Sequence, residues 1–377
     1  MKAIWSKPTV QQMLELTKAA LLGTIPDKSQ FVDIGETDWN KVFELSVVQG
    51  VKVLCLNGAI RLPKELHPPL KLKLRWIAEA DSVEKKYLHD LEVAKELSSL
   101  FRENNIRMLL FKGFALARLY PVPYSREFGD LDIYLFDKAK EGDTLLEHLI
   151  GKRYISSQKH VNYIYRGILI ENHHTLLNQG KQRKLPRCED MEKRLIKFLD
   201  ETESAKTIIP IESSQTGEAL LFPPPDFDAL FVTLHLLIHL ANRIVLRHLC
   251  DITVMFTAYK GKIDISLYRA ALSETGLQKI ADAIISLSVR YLGLKPEDAP
   301  PYESDLLLEN KLWSDLINPE VPSLPKEKQN LFTVFVFKVR MLQSNYWKHK
   351  LIFPGQFIKR IYYSIIFRFK NPKVFGK

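Results

Sequence analysis

Three acidic residues have the types and spacing that metal-assisted chemistry on phosphates requires. Asp130 and Asp132 lie two positions apart in the largely apolar segment 130–136, which we predict to be a strand. Alternate side chains of a strand share a face, so both carboxylates project to one side, with Cα atoms about 7 Å apart. Glu171 lies near the end of a predicted hairpin strand, 168–172, and an adjacent antiparallel strand would bring it beside the pair.

Such a cluster implies a bound cation, because three neighbouring carboxylates repel one another unless positive charge lies between them. Mg²⁺ is the expected cofactor, since it prefers hard oxygen ligands and can complete its octahedral shell with nucleotide phosphates. Two ions are possible, one activating an attacking hydroxyl and one stabilising a leaving pyrophosphate. The acids therefore predict phosphoryl or nucleotidyl transfer, and one of them is also a candidate proton acceptor.

Residues ahead of the aspartates could bind the phosphates of a nucleotide. Lys112 and Gly113 lie where a predicted strand, 107–111, meets a predicted helix, 114–120. A residue without a side chain lets backbone amides approach a phosphate there. Arg126, in the proline-containing loop before the aspartates, is predicted to neutralise a triphosphate, because a guanidinium binds phosphate oxygens in bidentate fashion.

The histidines are interpreted as supporting residues. His173 follows the hairpin glutamate closely and is predicted to orient it, while His174 faces the other side of the strand. A zinc site is not predicted here, because no cysteine or further histidine in the sequence completes a ligand set. His235 and His239 share one helix face and are interpreted as packing residues.

Arg247 and Asp251 share a face of a later predicted helix. They are interpreted as an ion pair, and the alternative interpretation places Arg247 at the nucleotide.

The elements that would position these residues form an α+β arrangement. Apolar residues recur at helical spacing in 10–22 and 70–104, so the first hundred residues are predicted to be helical. Between 105 and 180 the order is strand, helix, strand, helix and hairpin, with the hairpin turn at Arg166-Gly167, which predicts a small mixed sheet. Further helices are predicted at 227–259, 265–292 and 326–346. The predicted regions are helical 1–104, a sheet-containing 105–220 and helical 221–377, with a boundary near 215–225 at a run of three prolines.

Five segments together resemble an uncharacterised bacterial nucleotidyltransferase family within the DNA polymerase β superfamily. They are 111–120 (FKGFALARLY), Arg126, 129–134 (GDLDIY), 171–173 (ENH) and 246–251 (LRHLCD). The resemblance covers roughly 105–180 with good specificity and 225–260 with less. It implies a polymerase β-like sheet domain with helical regions on both sides, and a metal triad of Asp130, Asp132 and Glu171.

The sequence departs from the superfamily pattern at two positions. Gly113 is followed by Phe114, where the superfamily usually has Gly-Ser or Gly-Gly, which puts one phosphate contact in doubt. Glu171 stands where many members carry aspartate, and this changes the reach of that ligand. The resemblance implies Mg²⁺-dependent transfer of a nucleoside monophosphate from an NTP, with ATP as the first candidate, to a hydroxyl of an unidentified acceptor.

Two other functions are compatible with the sequence. A nucleotidyltransferase scaffold that has lost its activity could bind RNA or a protein partner. An Asp-x-Asp pair also holds metal and sugar nucleotide in glycosyltransferases, although these usually have a large α/β region ahead of the motif.

Composition sets the remaining expectations. The 377 residues are 46% hydrophobic, which excludes a mostly disordered chain. The net charge is +10, and only basic charges occur in 338–377, so nucleic acid is a possible partner of the C-terminal region. Its segment 351–369 mixes aromatic and basic residues and is interpreted as a packed terminal helix, with docking on nucleic acid or a membrane surface as the alternative. The three cysteines are widely separated, so no disulfides are predicted, and this favours a cytoplasmic protein. No transmembrane span is expected, because the sequence has no apolar segment of sufficient length.

Overall fold

The computed structural model describes residues 5–151, 155–156, 159–178, 184–200, 220–319 and 331–357. Over these residues the chain is mostly helical around one small mixed sheet, which confirms the predicted α+β class. The helices before the sheet are α1 (Lys7–Leu22), α2 (Glu36–Val48), α3 (Lys52–Ala59) and α4 (Leu70–Glu103). The predicted helical character of the first hundred residues is therefore confirmed.

The sheet is assembled from five short strands. They are β1 (Leu109–Leu110), β2 (Asp130–Tyr134), β3 (Ile155–Ser156), β4 (His160–Tyr165) and β5 (Ile168–His173). Helix α5 (Lys112–Ala117) joins β1 to β2, and α6 (Ala139–Ile150) joins β2 to β3. The strand order is β1-β2-β5-β4-β3, and β2 and β5 form the one parallel pair in this sheet.

The predicted hairpin is confirmed, but its orientation relative to β2 differs from the prediction. Arg166 and Gly167 have φ values of 50° and 82°, the positive angles that a tight two-residue hairpin turn uses. This turn makes β4 and β5 antiparallel to each other. Helix α6 returns the chain so that β3 has the direction of β2, β4 runs opposite to β3, and the reversal at the turn leaves β5 parallel to β2. The expectation that an antiparallel strand carries Glu171 was therefore wrong.

The helices after the sheet complete the described chain. They are α7 (Cys188–Asp200), α8 (Pro225–Leu240), α9 (Leu246–Ala258), α10 (Ile265–Thr275), α11 (Gln278–Leu292), α12 (Leu306–Ile317), α13 (Leu331–Ser344) and α14 (Tyr346–Ile352). Of the helix predicted at 326–346, residues 326–330 lie outside the described residues. So do residues 358–377, which contain most of the basic C-terminal segment.

Two long predicted helices are each divided in two. The helix predicted at 227–259 stops after α8, because Gln49 supplies partners for the first amides of α9. Its side-chain oxygen accepts from the Leu246 N–H at 2.8 Å, and its carbonyl accepts from the Arg247 N–H at 3.2 Å. The helix predicted at 265–292 is divided at Gly276, whose φ of 69° ends α10 in the left-handed conformation.

The predicted strands and the helix around the acids are shorter than expected or shifted. The strand predicted at 107–111 pairs only through Leu109–Leu110, and the helix predicted at 114–120 is α5, which begins at Lys112. Lys112 has a φ of 56°, and this turn ends the strand before the helix begins. The strand predicted at 130–136 ends at Tyr134.

The hydrophobic residues form two cores that α4 connects. Its first half, including Trp76, packs with α1 to α3 and α8 to α12 in the larger core. Its second half, including Phe101, packs with the sheet and α6 in the smaller core. The chain segments before and after the sheet therefore share one core. The predicted boundary near 215–225 stays a prediction, because 201–219 lies outside the described residues.

Two findings concern the cysteines and the helices of the described residues. Cys55, Cys188 and Cys250 are buried, and no disulfide joins them. No described helix has the length and apolar character that crossing a membrane requires.

Candidate active site

The three acids lie side by side on the parallel pair of strands. The register of β2 and β5 places Asp132 directly opposite Glu171. Asp130, Asp132 and Glu171 each offer a carboxylate oxygen, and these oxygens lie within 4.8 Å of one another. Leu131 and Ile133 point to the opposite face and are fully buried in the smaller core. The alternation expected from the sequence thus brings the three acids together and anchors the strand behind them.

Lys112 is the cation nearest to this cluster. Its Nζ lies 2.5 Å from Asp132 Oδ1 and 3.8 Å from Glu171 Oε2. Burial alone would raise the pKa of Asp132, but Lys112 and the hydrogen bond with His173 outweigh it and hold this pKa well below its usual range. Asp132 is therefore ionised at neutral pH.

Asp130 is the acid with the least compensation. The described residues give it no hydrogen bond or ion pair, and it is partly exposed to the cavity. Burial raises its pKa to about 6, and the negative charges of Asp132 and Glu171 add to the effect. The charge repulsion in the cluster is thus concentrated on Asp130, and a divalent cation beside it would relieve that repulsion. Three convergent carboxylates are a donor set that suits Mg²⁺.

His173 contacts two of the acids. Its Nε2 lies 2.9 Å from Asp132 Oδ1 and 3.4 Å from Glu171 Oε2, and its ring is fully buried. His174 faces the other side of β5, where its Nε2 lies 2.7 Å from Asp143 Oδ2. The predicted opposite orientation of the two histidines is confirmed.

Gly113 is required by close packing. A Cβ atom at this position would lie 2.7 Å from Arg126 Nη1 and 2.8 Å from Phe128 Cβ, distances that real Cβ atoms do not show. The glycine therefore lets the Arg126 guanidinium lie against the start of α5, beside Lys112.

Arg126 forms a buried ion pair that the sequence analysis did not predict. Its Nε and Nη2 donate to the two carboxylate oxygens of Asp251 at 3.0 and 2.9 Å, and the Tyr120 hydroxyl donates to Asp251 Oδ1 at 2.7 Å. Burial raises the pKa of Asp251 by itself, but Arg126 outweighs it and lowers the pKa. Arg126 thus joins the loop before β2 to α9.

The predicted Arg247–Asp251 ion pair was wrong, because Arg126 occupies the oxygens of that carboxylate. Arg247 instead donates from Nη1 to the carbonyl oxygen of Glu127. Its Nε is buried, and the described residues offer that atom no hydrogen-bond partner. Burial lowers the pKa of Arg247, and the charge of Arg126 lowers it further. Arg247 therefore lies at the site with incompletely used donors, and the alternative interpretation, which places it at a nucleotide, stays a prediction.

A cavity of about 380 Å³ opens above the acids. Its floor is the face of β2 and β5 that carries the acids, and its opposite wall comes from α8 and α9. The sequence analysis expected eight site residues, and seven of them line the cavity. They are Lys112, Gly113, Arg126, Asp130, Asp132, Glu171 and Arg247. His173 lies immediately behind, in contact with the acids.

The cavity is also lined by residues that the sequence analysis assigned to packing or did not single out. His235 and His239 line the cavity, with their Nε2 atoms 3.0 Å apart, and His248 lies beside them. Lys159 and His160 come from the start of β4. Burial lowers the pKa of Lys159 to about 8, and the charge of Lys112 lowers it further. The i, i+4 spacing of His235 and His239 indicates that the two side chains share a helix face. The neighbouring sequence does not indicate that this face lies opposite the sheet.

The comparisons with known proteins identify the family of this chain. A family model described as uncharacterised nucleotidyltransferase matches residues 35–293, more than half of the chain and all of the acids and cavity residues. No curated protein and no solved structure matches significantly. The match begins just before α2 and ends just after α11, so it includes helices from both sides of the sheet. The chain therefore belongs to a family of uncharacterised nucleotidyltransferases.

Proposed function

We propose that the protein transfers a nucleoside monophosphate from an NTP, with ATP as the first candidate donor, to a hydroxyl group of an acceptor. The observation that carries the proposal is the convergence of three carboxylates within 4.8 Å at the floor of a cavity. The reaction joins the α-phosphorus to the acceptor oxygen, breaks its bond to the bridging oxygen and releases pyrophosphate. Family membership supports nucleotidyl transfer in general, and the donor, the metal and the hydroxyl acceptor are our proposal.

The metal ligands in this proposal are Asp130, Asp132 and Glu171. Mg²⁺, as one or two ions, would supply charge neutralisation for the polyphosphate and a lower pKa for the attacking hydroxyl. Asp130 has no competing hydrogen bond among the described residues, and we assign to its carboxylate the acceptance of the hydroxyl proton.

The phosphates would be bound by the cations that line the cavity. Lys112 and Lys159 lie near the acids, and Arg247 reaches in from the opposite wall. Arg126 donates from Nε and Nη2 to Asp251, so only Nη1 is assigned to the phosphates in this proposal. The bidentate phosphate contact that the sequence suggested is therefore not part of it. The rest of the guanidinium group holds α9 in place. Because Lys112 pairs with Asp132, nucleotide binding requires this ammonium group to move toward a phosphate as metal takes its place.

The test measures pyrophosphate release from ATP and Mg²⁺ together with binding of a non-hydrolysable ATP analogue. Asp130→Asn and Asp132→Asn should each abolish Mg²⁺-dependent release, because each removes a metal ligand. Asp137→Asn is a matched control, since Asp137 is exposed on the turn that follows β2. Equal release by the wild type and both ligand variants would refute the proposal.

The alternatives make different predictions. A scaffold without activity should give no Mg²⁺-dependent heat with ATP in calorimetry, and RNA or protein binding would then need its own test. A glycosyltransferase should bind a sugar nucleotide in preference to ATP. The glycosyltransferase alternative lacks support from the fold, because described residues 5–104 form helices and no α/β nucleotide-binding unit.

A further inference from the structure

A second group of possible metal ligands lies beside the carboxylate triad and includes nitrogen donors. His160 Nδ1 lies 3.6 Å from Glu171 Oε2, and His173 Nε2 lies 3.4 Å from the same oxygen. The three donor atoms all lie within 4.8 Å of one another. The sequence analysis did not consider His160 as a ligand, although the hairpin that it predicted places this histidine next to the strand of Glu171.

The strand register places these three side chains together. His160 on β4 is directly opposite His173 on β5, and directly opposed residues of an antiparallel pair share a face. Glu171 is two positions before His173, so it projects to that face as well. The backbone of the hairpin therefore determines the arrangement, and the rings of the two histidines lie 5.0 Å apart.

The distances suit a tetrahedral metal site. Zinc bonds to imidazole nitrogen and carboxylate oxygen are about 2.0 to 2.1 Å long, so adjacent ligands of a tetrahedron lie about 3.4 Å apart. The two nitrogen–oxygen distances of 3.4 and 3.6 Å need little adjustment to match this value. We propose that His160, Glu171 and His173 form a binding site for Zn²⁺, which differs from the all-carboxylate site by its two histidine ligands and shares Glu171 with it.

The surrounding groups favour a nitrogen-preferring ion there. Imidazole is a poor ligand for Mg²⁺ and a good one for Zn²⁺. The other ring nitrogen of His173, Nδ1, lies 3.4 Å from the Thr175 carbonyl oxygen, the kind of partner that orients metal-binding histidines. Lys112 Nζ lies 3.1 Å from His173 Nε2 and must withdraw before a metal ion binds there. Asp132 Oδ1, at 2.9 Å from His173 Nε2, is then close enough to become a fourth ligand.

The two ligand sets share Glu171, and this gives the zinc site a consequence. Zinc bound to the Glu171 carboxylate takes an oxygen that the carboxylate triad would use for Mg²⁺, so Zn²⁺ should weaken Mg²⁺ binding. Only this effect of Zn²⁺ on Mg²⁺ binding rests on the proposed function. Zinc binding itself can be measured without nucleotide, so its failure and a failure of nucleotidyl transfer are distinguishable.

The experiment titrates the metal-free full chain with Zn²⁺ against a chromophoric chelator. His160→Gln should weaken zinc binding by more than about 100-fold, the upper end of the loss caused by removing only a partner of a ligand. His148→Gln is the matched control, because His148 is exposed on α6, and it should bind Zn²⁺ like the wild type. Wild-type affinity in a folded His160→Gln variant, verified by circular dichroism, would overturn the proposal.

Two further measurements keep the test decisive. His235 and His239 form another close pair of nitrogens, so His239→Gln is included. Loss of zinc binding in His239→Gln alone would assign the ion to the opposite wall and overturn the proposal. Co²⁺ bound to the wild type should give the intense visible absorption of tetrahedral coordination, and a weak octahedral spectrum would contradict the proposed geometry without any variant.

Discussion

Replacing Asp130 with asparagine should stabilise the metal-free protein at neutral pH and remove its response to Mg²⁺. Burial, together with the charges of Asp132 and Glu171, raises the pKa of Asp130 from 3.8 to about 6. At neutral pH the Asp130 carboxylate is therefore ionised in the folded protein, where its charge is less stable than it is in the unfolded chain. Asparagine has nearly the same shape and no charge, so it avoids this repulsion.

The magnitude follows from the pKa. At about 1.4 kcal/mol per pH unit, the rise corresponds to about 3 kcal/mol. The folded protein holds the proton of Asp130 to higher pH than the unfolded chain does, so the free energy of unfolding of the wild type falls as pH increases from about 4 to about 6. The advantage of Asp130→Asn over the wild type should be absent below pH 4 and reach about 3 kcal/mol at pH 7.

The assay is urea unfolding of both proteins with a chelator present, at several pH values between 4 and 7. Comparing the difference between the two proteins across pH removes any effect of the substitution that does not depend on charge. Adding Mg²⁺ at pH 7 should stabilise the wild type and leave Asp130→Asn unchanged. The reasoning would be refuted if the difference between the two proteins did not grow from pH 4 to pH 7, or if Mg²⁺ stabilised both equally.

Two further substitutions test the packing around the site. Gly113→Ala should destabilise the protein by about 1 to 3 kcal/mol, because the added methyl group displaces Arg126 and Phe128. Gly129→Ala is the control for the same urea assay. Nothing lies within 4 Å of the atom that this substitution adds, so it should have little effect. Asp251→Ala should reduce the free energy of unfolding by about 3 to 5 kcal/mol, because it leaves the buried Arg126 guanidinium without its carboxylate partner. A loss below about 1 kcal/mol for Asp251→Ala would show that the guanidinium finds other partners or water.

Local sequence was sufficient for the acids and the strands that carry them. The two-residue spacing of Asp130 and Asp132 predicts a shared face, and the structure places their carboxylate oxygens within 4.8 Å. The Arg166-Gly167 turn predicts the hairpin, since a tight turn favours positive φ and glycine adopts it readily. These predictions succeeded because they depend on backbone periodicity and turn chemistry, which act over a few residues.

Helix ends were predicted less well, for two different reasons. The division at Gly276 has a local cause that the sequence contains, a glycine that adopts the left-handed conformation at the end of α10. The division before α9 has a distant cause, since Gln49 receives the hydrogen bonds of Leu246 and Arg247. A pattern within 227–259 contains no information about that glutamine.

The opposite wall of the cavity depended entirely on long-range contacts. Arg126 and Asp251 are 125 positions apart, and their pairing replaced the local Arg247–Asp251 pair that helical spacing had favoured. His235 had the spacing of an ordinary packing residue, yet its helix lies across the cavity from the acids. Helical periodicity indicates which residues share a face and does not identify the surface that this face meets.

The sequence by itself determined the α+β class, the hairpin and the grouping of Asp130 with Asp132, because each follows from spacing along one element. Only the tertiary structure decided that β5 runs parallel to β2 and that α8 and α9 close the site. These outcomes depend on how separate elements bury their apolar faces against one another. Burial is shared among residues far apart in the chain, so no single segment specifies it.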